Sequence, residues 1–185
     1  MGFHTFPLER ADALADPSRF RFCSREELVA ALAPDPGDVV ADIGSGTGFY
    51  TDEVAPFVGR CYAVDLQHGM GARYRERGLP DGVHPVTATA DALPFPGGHL
   101  NGAVSTMTFH EFADTGSLAE LRRVLAPGAR AAIVDWMAAG SGEHGPPPAE
   151  RFDREAAVDR LAAAGLEVVD GREGPETFLV VATPA

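Results

Sequence analysis

Asp42 stands two residues before Gly44-Ser45-Gly46-Thr47-Gly48, three glycines at alternating positions that follow the short apolar run Val39 to Ile43. Glycines in such a turn can take positive φ and offer bare backbone to a ligand, and the helix expected after them adds unpaired N–H groups. This makes a cradle for a small molecule. A dinucleotide turn spaces its glycines G-x-G-x-x-G and seats pyrophosphate on the helix N-terminus, where an acid beside the loop would repel it. The spacing here is G-x-G-x-G, and Asp42 suits a cationic amino group. Asp65 comes 17 positions after Gly48, near the place where a carboxylate at the tip of the next strand takes both hydroxyls of a ribose. Further on, His110 beside Glu111 forms a pair able to accept a proton near neutral pH.

These residues need elements to hold them. Val39 to Ile43 is β-branched and too short for a helix, so it reads as a parallel strand covered on both faces, with Asp42 aimed at the turn outside the apolar layer. Cys61 to Asp65, Val83 to Ala88, Ala103 to Met107 and Ala131 to Trp136 read as further strands, and Leu166 to Val169 with Thr177 to Ala182 as a closing pair. Between them the expected helices are Arg25 to Ala33, Phe49 to Val58, Gln67 to Gly78, one opened by Ser117, and Ala156 to Ala164. Ser24 with Glu27 and Ser117 with Glu120 both have capping-box spacing. Strands alternating with helices give a doubly wound α/β sandwich.

Asp42-Ile43-Gly44-Ser45-Gly46-Thr47-Gly48 resembles the first motif of class I S-adenosylmethionine (SAM) methyltransferases. Thr89-Ala90-Asp91-Ala92-Leu93-Pro94-Phe95 resembles their adenine-binding stretch, and Arg122 to Gly128 their turn into the fifth strand, with Ala129 where a second glycine is usual. His110-Glu111, Val134-Asp135-Trp136, Gly145-Pro146-Pro147 and Glu150-Arg151 together look like a group of small stand-alone members, so that the likeness spans about residues 3 to 182. The resemblance implies a mostly parallel seven-stranded sheet with helices on both faces and an antiparallel last strand. It also implies SAM held by Asp42, Gly44, Gly46, Gly48, Asp65, Leu66, Asp91, Ala92 and Thr106. Asn101 replaces the family's usual aspartate at the start of the fourth strand, which touches a structural contact more than the chemistry.

Methyl transfer from a sulfonium needs in-line placement and exclusion of water, and a base only where the nucleophile arrives protonated. The acceptor belongs at the carboxyl ends of the strands. His110 and Glu111 are the catalytic candidates there, for an oxygen, nitrogen or sulfur atom of a small molecule; His110 could instead order the helix that follows. Asp135-Trp136 could hold the acceptor by charge and stacking, or could be a structural strand end. The aromatic-rich residues 1–23, with Phe3, His4, Phe6, Phe20 and Phe22, form an arm that could close the pocket as a lid or pad the first helix. Two rival readings stay open: a SAM-binding regulator or scaffold without transfer activity, and a nicotinamide-dependent oxidoreductase.

Composition narrows the partners. In 185 residues, 27 acids face 15 basic residues, every one an arginine, for a net charge of −12. Such a surface repels nucleic-acid phosphates and anionic lipid, and it suits a high-salt cytoplasm, where acidic side chains keep a protein dissolved. Cys23 and Cys61 make no disulfide framework, and His4, His110, Glu111 and His144 have no ligand spacing, so no metal is expected. No stretch has the length of a signal peptide or a membrane span, which makes the expected location cytoplasmic and the expected unit one domain, residues 1–185.

Overall fold

The structure, a computed structural model, describes residues 5–185. Phe3 and His4 of the sequence reading lie outside them. Seven strands make one sheet: β1 (Val39–Ile43), β2 (Arg60–Asp65), β3 (Val83–Thr87), β4 (Leu100–Thr106), β5 (Leu125–Trp136), β6 (Leu166–Glu173) and β7 (Thr177–Pro184). Their order is β3-β2-β1-β4-β5-β7-β6, with β7 antiparallel to both of its neighbours and the other pairings parallel. The order reverses between β1 and β4. A crevice therefore opens at their carboxyl ends, where open α/β sheets bind ligands.

Strand residues alternate between two apolar layers, as a sheet covered on both faces requires. On one face Val40, Val104, Ala132 and Val181 meet α1 (Arg25–Leu32) and α2 (Phe49–Val54), while α3 (His68–Arg77) sets Tyr74 on Cys61 and Ala63. On the other, Ile43, Ala103, Ile133 and Val180 meet α4 (Phe109–Phe112), α5 (Thr115–Val124) and α6 (Arg154–Ala163). Pro85 is tolerated because β3 is an edge strand. No helix among the described residues is long and apolar enough to cross a membrane.

Three local expectations need correction. Phe49 to Val58 is α-helical only to Val54; Pro56 lacks an N–H, and Ala55–Phe57 tightens into a 3-10 turn. The cap of α5 is Asp114, not Ser117, because the Asp114 carboxylate accepts from the N–H groups of Gly116 and Ser117. Glu120 turns away from any capping box to hold Arg123 and the Leu93 N–H. The α1 capping box is present as read, with Ser24 and Glu27 satisfying each other's backbone N–H. Near the start of β5 the left-handed residue is Gly128 (φ 81°), and Ala129 carries no positive φ. Asn101 keeps a contact across the sheet by accepting from the Val39 N–H at 3.0 Å.

Candidate active site

β1 delivers Asp42 to the crevice. The sequence placed its carboxyl outside the apolar layer, but it is only 1 % exposed, sunk beneath the glycine turn. Its Oδ2 accepts from Thr51 Oγ1 at 2.6 Å, and its Oδ1 is buried with no hydrogen-bond partner. Burial, with Asp65 and Asp52 adding repulsion against the Thr51 bond, pushes its pKa up to about 7. Thr47 Oγ1, in the turn itself, is also buried without a partner. An orphaned acceptor beneath a glycine turn fits the ammonium group of an amino-acid ligand, since unpaired buried polar groups are rare unless something fills them.

The three glycines do different work. All have positive φ (77°, 56° and 85°), yet a Cβ on Gly44 would come within 2.3 Å of Thr108, and one on Gly48 within 2.1 Å of the Tyr74 ring. Those two are glycine because protein side chains fill the space, which corrects the expectation that all three lie bare for a ligand. At Gly46 the one neighbour of such a Cβ is Leu14 of the N-terminal arm, at 3.0 Å.

Asp65 ends β2 beside the turn. Its two oxygens accept from the N–H groups of Gly46 and Gln67, at 2.9 and 2.8 Å. A carboxylate has about four acceptor positions, so capacity remains for a ribose diol. Leu66 next to it is exposed, a free apolar face at the cleft rim. Asp91 and Ala92 follow β3, whose end pairs with Asp65, and both are exposed. The Ala92 N–H closes a turn on the Thr89 carbonyl. The stretch after them is anchored by Arg123, which donates to the carbonyls of Leu93 and Phe95. Thr106, the buried last residue of β4, offers its carbonyl to Thr108.

His110 and Glu111 sit in α4, directly after Thr108, whose hydroxyl reaches the Gly44 carbonyl at 3.3 Å. The pair is thus brought to the glycine turn. Asp135, from the end of β5, accepts from the His110 N–H at 2.6 Å and faces His110 Nδ1 at 3.0 Å from both its oxygens. Sequence reading missed this partnership, because 25 positions separate two groups that meet only through the β4–β5 pairing. Nδ1 is held by Asp135, and Nε2 points toward Glu111 Oε1, 3.9 Å away. Burial works against the imidazolium, but Asp135, helped by Glu111 and Glu150, outweighs it and lifts the His110 pKa above the usual value. Burial pushes Glu111 up to about 7, with His110 opposing and Asp65 and Asp135 adding to the rise.

Trp136 does not offer a stacking face. It is 6 % exposed, with Phe22 edge-on at 4.6 Å, the Arg151 guanidinium at 5.5 Å, and Gly145 so close that a Cβ there would come within 2.6 Å. It is a structural residue that clamps the loop after β5. His144 belongs to the same cluster, bonded to Arg21 and packed on Phe22. Among the described residues no group of three or more His, Cys, Asp or Glu side chains is arranged to hold a metal ion. Both cysteines are free and buried, and burial pushes the Cys23 thiol up to about 12.

The sheet order, the acid-and-glycine turn after β1 and the acids at the next strand ends define a class I SAM-dependent methyltransferase. The chain belongs to the methyltransferase domain family, whose model matches residues 41–133, and its cofactor is SAM. This sets aside the nicotinamide and non-catalytic readings. A SAM-dependent methyltransferase structure from Aquifex aeolicus is similar over 98 % of this chain and all of that one, with a TM-score of 0.89 and 29 % identity. The demethylmenaquinone methyltransferase of Mycobacterium sp. (strain JLS) is 32 % identical over 113 residues, 60 % of this chain and 47 % of that one. The ubiquinone/menaquinone biosynthesis C-methyltransferase UbiE of Shewanella frigidimarina is 29 % identical over 124 residues, 63 % and 49 % of the two chains. The chain spans about half the length of these curated relatives.

Proposed function

We propose that this methyltransferase acts on a small molecule whose accepting group loses a proton as it reacts: an aromatic hydroxyl compound of the hydroquinone kind, methylated at the oxygen or at the ring carbon beside it. The observation that carries the reading is the His110–Asp135 pair beside the glycine turn. An acceptor that arrives as a neutral amine with a free lone pair has no use for a buried base. The names of the quinone-methylating relatives support an acceptor of this chemistry and extend the expected oxygen, nitrogen or sulfur target to carbon. The net charge of −12 supports a small molecule over nucleic acid or an anionic membrane.

When bound, SAM supplies an electrophilic methyl group on a sulfonium centre. Asp42, Gly46, Asp65, Leu66, Asp91 and Thr106 are the residues we assign to holding it, while Gly44, Gly48 and Ala92 shape the backbone around it. Asp135 keeps the proton of His110 on Nδ1 and leaves Nε2 as the base. His110 Nε2 would take the hydroxyl proton of the acceptor, leaving an anion whose electron pair lies on the oxygen or is delocalised to the ring carbon beside it. That pair would bond the methyl carbon as the C–S bond breaks with its electron pair kept by the neutral thioether; where the carbon reacts, its own ring proton would then be lost to restore the aromatic ring. Glu111, 3.9 Å from that nitrogen, is placed to receive the proton onward. Residues 5–23 act in this reading as a cover: Leu14 lies over Gly46, Leu8 packs where a Gly69 Cβ would be, and the Phe6 carbonyl accepts from Gln67.

The test is methyl transfer from radiolabelled SAM to a panel of phenols and hydroquinones, set against amines and thiols, with products identified by mass spectrometry. Transfer to the hydroxyl compounds that is lost in His110→Gln supports the reading. Transfer confined to amines or thiols, or left intact in His110→Gln, overturns it.

A further inference from the structure

The arm carries a cation that the proposed transfer step does not use. Arg19, in the 3-10 segment Pro17–Arg21, lays its guanidinium over the rings of Phe49 and Tyr50, 5.5 and 5.6 Å from their centroids. Both rings belong to the first turn of α2, immediately after Gly48. Tyr50 fixes the segment from below by donating to the Arg19 and Cys23 carbonyls at 3.0 Å each. One Nη of Arg19 reaches the sulfur of Met107 at 3.6 Å, and its Nε is buried with no partner. A thioether is a weak acceptor, so a largely buried cation is left with poor hydrogen bonding, an arrangement that costs stability unless a ligand completes it. Met107 itself, just past the end of β4, is held at φ 61°, a left-handed conformation that methionine rarely adopts and that clusters at functional sites.

Asp42 is the matching acid on the same face of the sheet, with its Oδ1 buried and unpaired. Among the described residues no hydrogen bond or ion pair joins Arg19 to Asp42, although each favours the charged form of the other. A buried cation and a buried carboxyl, each with a polar atom short of a partner, are complementary to an α-amino acid, which carries an ammonium and a carboxylate on one carbon. We propose that Arg19 is a cofactor-binding residue that takes the α-carboxylate of the methionine end of SAM, opposite the ammonium held by Asp42. The proposal rests on the cofactor assignment and makes the arm part of the binding site. It also explains why an acidic protein keeps this one cation beneath the surface of its arm.

Calorimetry separates this role from mere packing. The wild type, Arg19→Gln and Arg19→Lys are each titrated with S-adenosylhomocysteine and with its decarboxylated analogue, which keeps the adenosine and the amine and lacks only the carboxylate. The wild type should bind the analogue at least tenfold more weakly than S-adenosylhomocysteine. Arg19→Gln should bind both about equally, at the wild type's affinity for the analogue, and Arg19→Lys should recover part of the preference. Equal loss of both ligands in Arg19→Gln, or no loss of either, overturns the proposal while leaving the cofactor residues in place. Failure of the wild type to bind S-adenosylhomocysteine would overturn both together.

Discussion

Asp42→Asn tests how the burial of one carboxyl is used. The fold raises its pKa from 3.8 to about 7, so between those values the native state holds a proton that the unfolded chain has released. Wild-type stability from this group is therefore greatest at or below about pH 4 and is lost as pH rises to 7. With about 1.4 kcal/mol per pKa unit, the three-unit rise sets a ceiling of about 4 kcal/mol against the free protein at pH 8. Asparagine keeps the acceptor for Thr51 but puts an NH2 where Oδ1 is unpaired, at a cost of about 1–3 kcal/mol. The net expectation is a gain of about 1–3 kcal/mol above pH 7, a rise of several degrees in Tm at about 2–4 °C per kcal/mol for a chain of this size. This gain shrinks toward pH 4. Loss of the charged partner for the ammonium should meanwhile weaken S-adenosylhomocysteine binding by about 1.5–3 kcal/mol, or about 10- to 150-fold. Thermal melts from pH 4 to 8 and calorimetry at pH 8 read both effects. A variant less stable than wild type at pH 8, or one that binds the ligand undiminished, refutes the reasoning.

Three further perturbations follow from the same geometry. Asp135→Asn leaves His110 buried without its carboxylate, so the acidic limb of the pH–rate profile should move to lower pH while kcat falls by about 10²–10⁴; an unmoved limb would count against the pair acting as base. Gly48→Ala combines φ 85° with a Cβ 2.1 Å from the Tyr74 ring, which should cost about 2–4 kcal/mol and lower Tm, whereas Gly46→Ala, facing only Leu14, should cost less. The acidic, lysine-free surface should give a Tm that rises as KCl approaches molar levels, and a Tm that falls would remove the high-salt reading.

How far the sequence could be read depended on whether a feature is local. Val39 to Ile43 and Cys61 to Asp65 are legible as strands because β-branched runs between turn residues leave few alternatives. The acid ahead of the glycines and the acids at the next strand ends were legible because their spacing follows from the strand–turn–helix unit. What escaped was long-range. Gly44 and Gly48 are forced by Thr108 and Tyr74, residues far along the chain. Asp135 meets His110 because β4 lies beside β5. Trp136 stayed open between a stacking face and a structural strand end because nothing local announces that Phe22, Gly145 and Arg151 enclose it. Arg19 sat in an arm without hydrophobic period, and only the folded chain brings it beside α2 and near Asp42.

The cofactor assignment underlies every step above, and Asp65 tests it most directly. A calorimetric titration of the wild type and Asp65→Ala with S-adenosylhomocysteine should give one site per chain for the wild type. The variant, deprived of the carboxylate assigned to the ribose diol, should bind at least about thirtyfold more weakly, about 2 kcal/mol. Undiminished binding by Asp65→Ala, or no binding by the wild type, would contradict the account.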